Sequence, residues 1–543
     1  MSKIASNIFL QSALAEVPRL LGLLNRNPAS HSYGSFDRAF WHYRTADISC
    51  ARYQEAVLTL ALLYANDFEE NIYYQDSRVL EWINAAIGFS LSLQDRDGSF
   101  SEWYLHESSF VATAFVTAAL SETLLVLGEQ KIRGYKKAVD VLCRAADWLT
   151  SLDEELVRNQ ESGSMLALVN VWLLTRDERY RMSAFEKAKR FTDAQVSEGW
   201  WSEYGGPDIG YLSLTIDYLA KYSQKYDDQR VVEAIRKSSA FLTNFLHPNY
   251  TVGGEYGSRN TEYLIPSGFV LLSDKDQNMR LIAEFCAHSL ALQSGIGPSN
   301  LDDRYLAYIL YNWLQAGLIY VPSDGGRIRR FLAERRVDTF FPMSGIRVVD
   351  RGIYYFVANL YKGGAFRVYA PGKTYLDSGA DIISRGHAYT SNVLDKNNGI
   401  HCVSAVAKEF STSGFLKFVS EPLMKTPIML LFKMFQLTIG QSGILRKFLK
   451  KVLRKGMITD ARRSSISFKR SFVLTDNGVR IVDVVGAALH KEDIYYGRKS
   501  SYNFIPSSKY FLNQEVGGER SNFREPVFSV TGDTTTTVQE LYW

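Results

Sequence analysis

Residues able to move a proton or to hold an anion are spread along the first half of this chain. Tyr211 follows a Pro207-Asp208-Ile209-Gly210 turn at the beginning of a predicted helix. A phenol there needs help to ionise, because its reference pKa is ~10, and a helix N-terminus or a neighbouring positive charge would supply that help. Arg259 is the obvious cation, since its planar fork matches a carboxylate through two hydrogen bonds and stays charged. Asn159 stands at the start of another predicted helix, where the plainest role for an Asn is to cap it. Glu203 with Asp208, or Glu255 with Glu262, would make a general acid and base for glycoside hydrolysis if each pair faced across a cleft, a distance that sequence separation does not set. Among the histidines, His106 lies beside Glu107 in a loop before a helix, and His387 precedes a Tyr-Thr-Ser-Asn-Val-Leu-Asp run; His401 and His490 read as structural. The Gly205-Gly206-Pro207 stretch has a simple reading as a tight turn.

These residues need a scaffold, and composition says what kind. A chain of 543 residues is too long for one ordinary core, so two domains are expected. With 46% hydrophobic and 22% charged residues it reads as globular and lacks the bias of a disordered chain. Aromatic residues reach 13%, which suits either large cores or sugar-binding clefts, where ring faces stack on pyranose C–H surfaces. A formal net charge of +4 is too small for this length to argue for nucleic acid as a partner. Cys50, Cys143, Cys286 and Cys402 are far apart and lack metal-ligand spacing, so they read as reduced core thiols, and no metal or cofactor is expected. The first 24 residues lack a basic stretch, a long apolar run and a cleavage site, which places the protein in the cytoplasm.

From about residue 50 to about residue 320, apolar residues recur at helical spacing in segments such as Tyr53 to Tyr64, Phe110 to Leu127, Tyr135 to Leu149, Ser162 to Leu174, Tyr211 to Tyr222 and Leu301 to Ile319. Many consecutive helices with short connections imply antiparallel hairpins. After Arg336 the pattern changes to short alternating runs punctuated by Gly, Asp-Ser-Gly and Asp-Asn-Gly, with candidate strands at Gly352 to Leu360, Ala365 to Tyr369, Ile400 to Lys408, Ile466 to Leu474, Val479 to Val485 and Val527 to Thr531. Helices first and strands second imply two segregated domains, residues 1–335 and 336–543. One segment, about 423–457, interrupts the sheet pattern. Pro427 to Ile439 is apolar but well short of the ~20 residues that span a bilayer. Arg446 to Lys455 is basic and amphipathic, so the segment fits either a helical hairpin on an anionic membrane surface or a helical insertion with a solvated basic face.

Several stretches resemble heparinase-II/III-like proteins, a superfamily that includes alginate, heparin and related polysaccharide lyases and a glucuronyl carbon-5 epimerase. The pieces that carry the resemblance are Asn25-Arg26-Asn27-Pro28 with Phe36 to Tyr43, Arg158-Asn159-Gln160-Glu161, Glu203 to Tyr211, and Gly257 to Glu262. In the sheet region they are Ala365 to Gly372 running on to Leu376-Asp377-Ser378-Gly379. The Gln94 to Phe100 turn is similar to turns of several (α/α) toroids, terpene cyclases included, and speaks to architecture rather than chemistry. The resemblance implies a helical (α/α) toroid followed by an antiparallel β-sandwich, acting on a polysaccharide that contains uronic acid.

Elimination and carbon-5 epimerisation of a uronate both begin by removing the proton alpha to its carboxylate, which is weakly acidic. The carboxylate must be neutralised and a base placed at the alpha carbon. By resemblance, Asn159 takes the neutralising role, Tyr211 that of acid or base, and Arg259 that of the cation, with His387 as the sheet-region histidine. Gln160 stands where the lyases often carry His, so a polar donor is kept and a titrating group lost. Tyr204 is a weaker duplicate of Tyr211, and Trp201, Glu203, Asp208, Asn260 and His106 are assigned to substrate contact. The family's His-x-His-x-Asp lead-in to Ala365 reads here Asn359-Leu360-Tyr361-Lys362-Gly363-Gly364, a departure that removes the usual metal site and leaves Lys362 as a substitute cation. Three functions follow: a lyase cleaving an acidic polysaccharide by β-elimination, a carbon-5 epimerase working on a lipid-linked oligosaccharide at the inner membrane face, or a catalytically silent glycan-binding scaffold.

Overall fold

The computed structural model describes residues 4–384, 387–401, 408–419, 425–438, 462–489, 494–495 and 527–543. Its helical part comprises α1 (Ile8–Leu23), α2 (Arg38–Trp41), α3 (Ala56–Ala65), α4 (Ser77–Ser92), α5 (Phe110–Leu127), α6 (Tyr135–Thr150), α7 (Arg158–Thr175) and α8 (Glu178–Asp193). It continues through α9 (Ile209–Lys225), α10 (Gln229–Thr243), α11 (Ser267–Leu271), α12 (Gln277–Ala291), α13 (Asp303–Ile309), α14 (Tyr311–Ile319) and α15 (Gly326–Glu334).

Two kinds of helix alternate, and their sequences say why. In α5 nearly every residue from Phe110 to Leu124 is buried, because the helix is apolar on all sides. Its length and hydropathy would suffice to cross a bilayer, yet it lies between α3 and α7 in the protein core. The next helix, α6, buries only Ala138, Val141, Leu142, Ala145, Ala146 and Leu149, a stripe at i, i+3, i+4 and i+7 that belongs to a helix with one face in water. Helices of the first kind pack side to side in the order α3, α5, α7, α9, α11, α14 and back to α3, closing a ring. The striped helices α4, α6, α8, α10 and α12 lie outside it, with α1 against α12 and α14. Each outer helix returns the chain to the face from which the last inner helix started. The inner helices therefore run in the same direction, and their N-termini collect at one face of the ring.

The strands are β1 (Val337–Phe341), β2 (Ile346–Asp350), β3 (Tyr355–Asn359), β4 (Ala365–Ala370), β5 (Lys373–Asp377), β6 (Asp381–Ser384), β7 (His387–Thr390), β8 (Gly399–His401), β9 (Glu409–Phe418), β10 (Arg463–Thr475), β11 (Gly478–Val485), β12 (Ile494–Tyr495), β13 (Val527–Thr531) and β14 (Thr534–Tyr542). The first five form an antiparallel meander, and the others a second antiparallel sheet ordered β12-β6-β7-β9-β10-β11-β14-β13, with β8 beside β9. In β3 and β4 the residues alternate between two destinations, as a period of two requires. Phe356, Phe366 and Val368 meet Phe410 and Phe472 of the second sheet, while Tyr355, Val357 and Tyr369 join the core of the helical ring. The meander is thus buried on both faces, ring on one side and second sheet on the other, and its ring-facing side chains can reach the toroid's loops.

The segment expected as one helix from Leu301 to Ile319 starts instead at Asp303, where Asp302 accepts the Tyr305 N–H at 2.7 Å, and divides at Leu310. Of the interrupting segment, α16 (Thr426–Leu437) is described; Arg446 to Lys455, His490, Cys402 and most of the strand expected at Ile400 to Lys408 lie outside the described residues.

Candidate active site at the N-terminal face of the helical ring

Two adjacent inner helices, α7 and α9, begin side by side, and each start is held by a carboxylate. Helix α7 has no side-chain cap of its own. Glu203, from the loop before α9, supplies one from a distance: its Oε1 accepts the Asn159 N–H at 2.7 Å and its Oε2 accepts Asn159 Nδ2 at 2.8 Å. Burial pushes the Glu203 carboxyl well above the ordinary range, with the Asn159 bonds pulling the other way. At the start of α9, Asp208 is a conventional N-cap whose Oδ1 accepts the Tyr211 N–H at 3.2 Å and the Thr261 hydroxyl. Its Oδ2 accepts the Arg259 N–H at 2.9 Å. One buried carboxylate therefore holds the backbones of Tyr211 and Arg259 together.

Arg259 lies half-buried with its guanidinium carbon 4.1 Å from the centre of the Tyr204 ring. Among the described residues it forms no salt bridge, with the buried Glu203 only a neighbouring charge, and its buried Nε finds no acceptor. The loop that carries it is braced from the sheet domain. Lys362, just before β4, donates to the Gly257 carbonyl at 2.6 Å and to Asn260 Oδ1. Burial pushes the Lys362 amine down to about 7, against the pull of Asp208 and Glu255. Arg367, on the ring-facing side of β4, is shared by Glu255 at 2.7 Å and Glu262. Gly254, at φ +109°, gives Arg367 room, because a Cβ there would collide with the guanidinium.

Several expected assignments need correcting on this geometry. The Asn159 amide is turned onto Glu203, so it positions the helix start instead of offering a free donor to a substrate. It is not the cap either, since Val157 occupies that place. Glu203 and Asp208 are buried helix caps rather than substrate contacts or a facing acid–base pair. Glu255 and Glu262 meet on one guanidinium, which removes the second glycosidase pairing. Asn260 and Lys362 are buried and bonded to each other, not directed at solvent. Trp201 is buried, with its indole N–H on the Phe191 carbonyl at 2.8 Å and its ring stacked on Phe191. His387 is exposed at the far end of β7, four residues and on the order of 13 Å from the Ser391 end of that strand, with Phe418 as its ring neighbour. It is not brought to the cluster. Gln160 lies half-buried in the first turn of α7, and Tyr211 half-buried in that of α9. His106 is at the same ring face, before α5, where Nδ1 sits 3.1 Å from Asp95.

Other residues went unnoticed in the sequence. His247 is fully buried between the domains, 2.9 Å from Thr251 Oγ1, 3.0 Å from Tyr256 Oη and stacked on Tyr369; burial, with Arg367 and Arg335 near, keeps it well below its usual pKa. Trp103, 55% exposed beside the His106 loop, has the Arg304 guanidinium 3.8 Å from its ring centre. The exposed indole after the Gln94 to Phe100 turn was a signal that could have been used; nothing near His247 marks it.

The arrangement of a closed helical ring followed by antiparallel sheets recurs in solved structures. A Paenibacillus xanthan lyase superposes with a TM-score of 0.53 over 89% of this chain and 46% of its own, at 9% identity. A variant of the Streptomyces coelicolor A3 chondroitin AC lyase gives 0.51 over 88% of this chain and 66% of its own, also at 9% identity. The fold is that of the polysaccharide lyases. At this identity the likeness is one of architecture, and the chain spans about half the length of the xanthan lyase. Heparinase III aligns over 99% of this chain at a TM-score of 0.44, too low to add to the assignment. No family model matches the sequence, and no curated protein matches it. Toroid then sandwich is the architecture that the heparinase-II/III-like resemblance implies.

Proposed function

We propose that this polysaccharide-lyase-fold protein binds a uronic acid residue of an acidic polysaccharide at the rim around Arg259 and removes the proton alpha to the carboxylate, with β-elimination of the glycosidic bond. The observation that carries the reading is the single buried carboxylate of Asp208 holding Tyr211 on one oxygen and Arg259 on the other. Arg259, which forms no salt bridge among the described residues and has an unpaired Nε, is the group that would neutralise the sugar carboxylate through its planar fork. Tyr204 backs it with a ring face. Tyr211 is the base. It stands in the first turn of α9 beside the Arg259 loop, and as the phenolate it takes the C5 proton while the electron pair moves into the carboxylate. As the C4–C5 double bond forms, the C4–O bond breaks and the leaving oxygen receives a proton from the Tyr211 hydroxyl. Asn159, Glu203, Asn260 and Lys362 act one step back, holding the helix starts and the Arg259 loop.

Incubating the full chain with a panel of uronate-containing polysaccharides tests this. The expected result is growth of the ultraviolet absorbance of an unsaturated uronate with at least one polymer, lost in Tyr211→Phe. Loss of the C5 hydrogen without that absorbance would mean a carbon-5 epimerase, in which the same first step is followed by protonation from the other face. Neither signal on any polymer would leave a glycan-binding scaffold and overturn the catalytic reading.

A further inference from the structure

Among the described residues, helix α16 meets the ring through one side. Phe432 packs edge-on against Tyr104 with ring centres 5.1 Å apart, Lys433 Nζ lies 2.5 Å from Asp47 Oδ2, and Gln436 is buried. The opposite side has a different character. Ile428, Leu430, Leu431, Met434 and Leu437 are 55%, 61%, 67%, 63% and 68% exposed, and at helical spacing they make one continuous outward face without a charged residue. An exposed face of this kind marks an interaction surface.

We propose that the outward face of α16 docks onto an anionic lipid surface, an inference independent of the catalytic reading. Charge selects the occupant. From Pro422 to Thr459 the chain carries eight Lys or Arg and no Asp or Glu. Two copies associating would each carry this surplus of like charge in the same stretch of sequence, a balance that opposes self-association. A polyanionic glycan would satisfy the charge but gain nothing from an apolar face that offers no hydrogen-bond donors. Anionic lipid meets both demands, headgroups for the cations and acyl chains for the apolar side chains. At 12 residues the helix is about 18 Å long, against a hydrocarbon core of about 30 Å, so it would lie in the interface and not cross it. Because Tyr104 belongs to the loop before α5, docking would bring the ring face that carries Arg259 next to the membrane.

Co-flotation of the full chain with vesicles tests the proposal. The chain should float with mixed phosphatidylcholine and phosphatidylglycerol vesicles, remain behind with phosphatidylcholine alone, and lose flotation as salt is raised. Leu430→Glu with Met434→Glu should lower the floated fraction about ten-fold or more, while circular dichroism and melting of the variant match the parent. A parent chain that does not float with the anionic vesicles, or a folded variant that floats as well as the parent, overturns the proposal. So does a parent that sediments as a dimer which the variant dissolves, without flotation by either. The lipid and salt dependence of the parent alone decides the matter if the variant fails to fold.

Discussion

Arg259 is stacked on Tyr204 and forms no salt bridge among the described residues, and that makes it the residue on which the proposed chemistry turns. Arg259→Ala should lower turnover of a responsive polysaccharide by about 100-fold or more, the scale lost when a donor to a developing oxyanion is removed. Arg259→Lys should restore little, since an ammonium cannot present a planar fork; initial rates of ultraviolet growth check both. Lys362 makes a different prediction, because it titrates. Its pKa falls from 10.5 in the free side chain to about 7 in the folded chain, so between those values the unfolded chain binds more protons and stability must rise with pH. Denaturant unfolding from pH 7 to pH 9 should show that rise as a difference between the parent and Lys362→Met. Tyr211 was marked by its match to the family's cleft motif and Arg259 by its charge and planar fork, and the structure brings their backbones onto one carboxylate, Asp208. Glu203, Asp208, Asn260 and Lys362 could not be sorted that way, since a carboxylate that caps a distant helix and one that touches a ligand have the same sequence neighbours.

The N-terminus of α7 depends on a residue 44 positions away. Glu203→Ala would leave the buried Asn159 N–H and amide without their acceptor and should cost about 1 to 3 kcal/mol of stability. Glu203→Gln, which keeps one oxygen acceptor, should cost less, and thermal melting of the two variants ranks them. Asp208→Ala should do more than lose a cap, because the same carboxylate also holds the Arg259 loop; both melting temperature and turnover should fall. The helices themselves were legible from their periodicity, and so was the change to strands after Arg336. The borrowed cap was not: Val157 in the cap position signals only a missing one, and nothing local says that Glu203 comes to fill it. The order of the strands was equally hidden, since β6 to β14 alternate in much the same way whichever neighbour they take.

Ring and sandwich are joined through the meander, whose ring-facing residues Tyr355, Arg367 and Tyr369 sit in the ring's core or on its loops. Arg367 is shared by Glu255 and Glu262 at this joint, and replacing it removes the buried cation that both carboxylates contact. Arg367→Met should cost about 3 to 5 kcal/mol, and calorimetry should show the single transition broaden or split as the domains uncouple. At this scale the two periodicities showed helices first and strands second; that these close into a toroid and a sandwich was implied by the family resemblance and not by the periodicities. Which helix neighbours which around the ring was hidden, because the order α3, α5, α7, α9, α11, α14 is set by long-range packing that apolar periodicity does not carry. Removal of the C5 hydrogen of a uronate is the claim on which elimination and epimerisation both rest, and its most direct measurement is the release of label into water from a polysaccharide deuterated at C5 of its uronic acid. Release by the parent chain from at least one acidic polymer and its loss in Arg259→Ala are expected; no release from any polymer, or equal release by the folded variant, would contradict proton removal at this site.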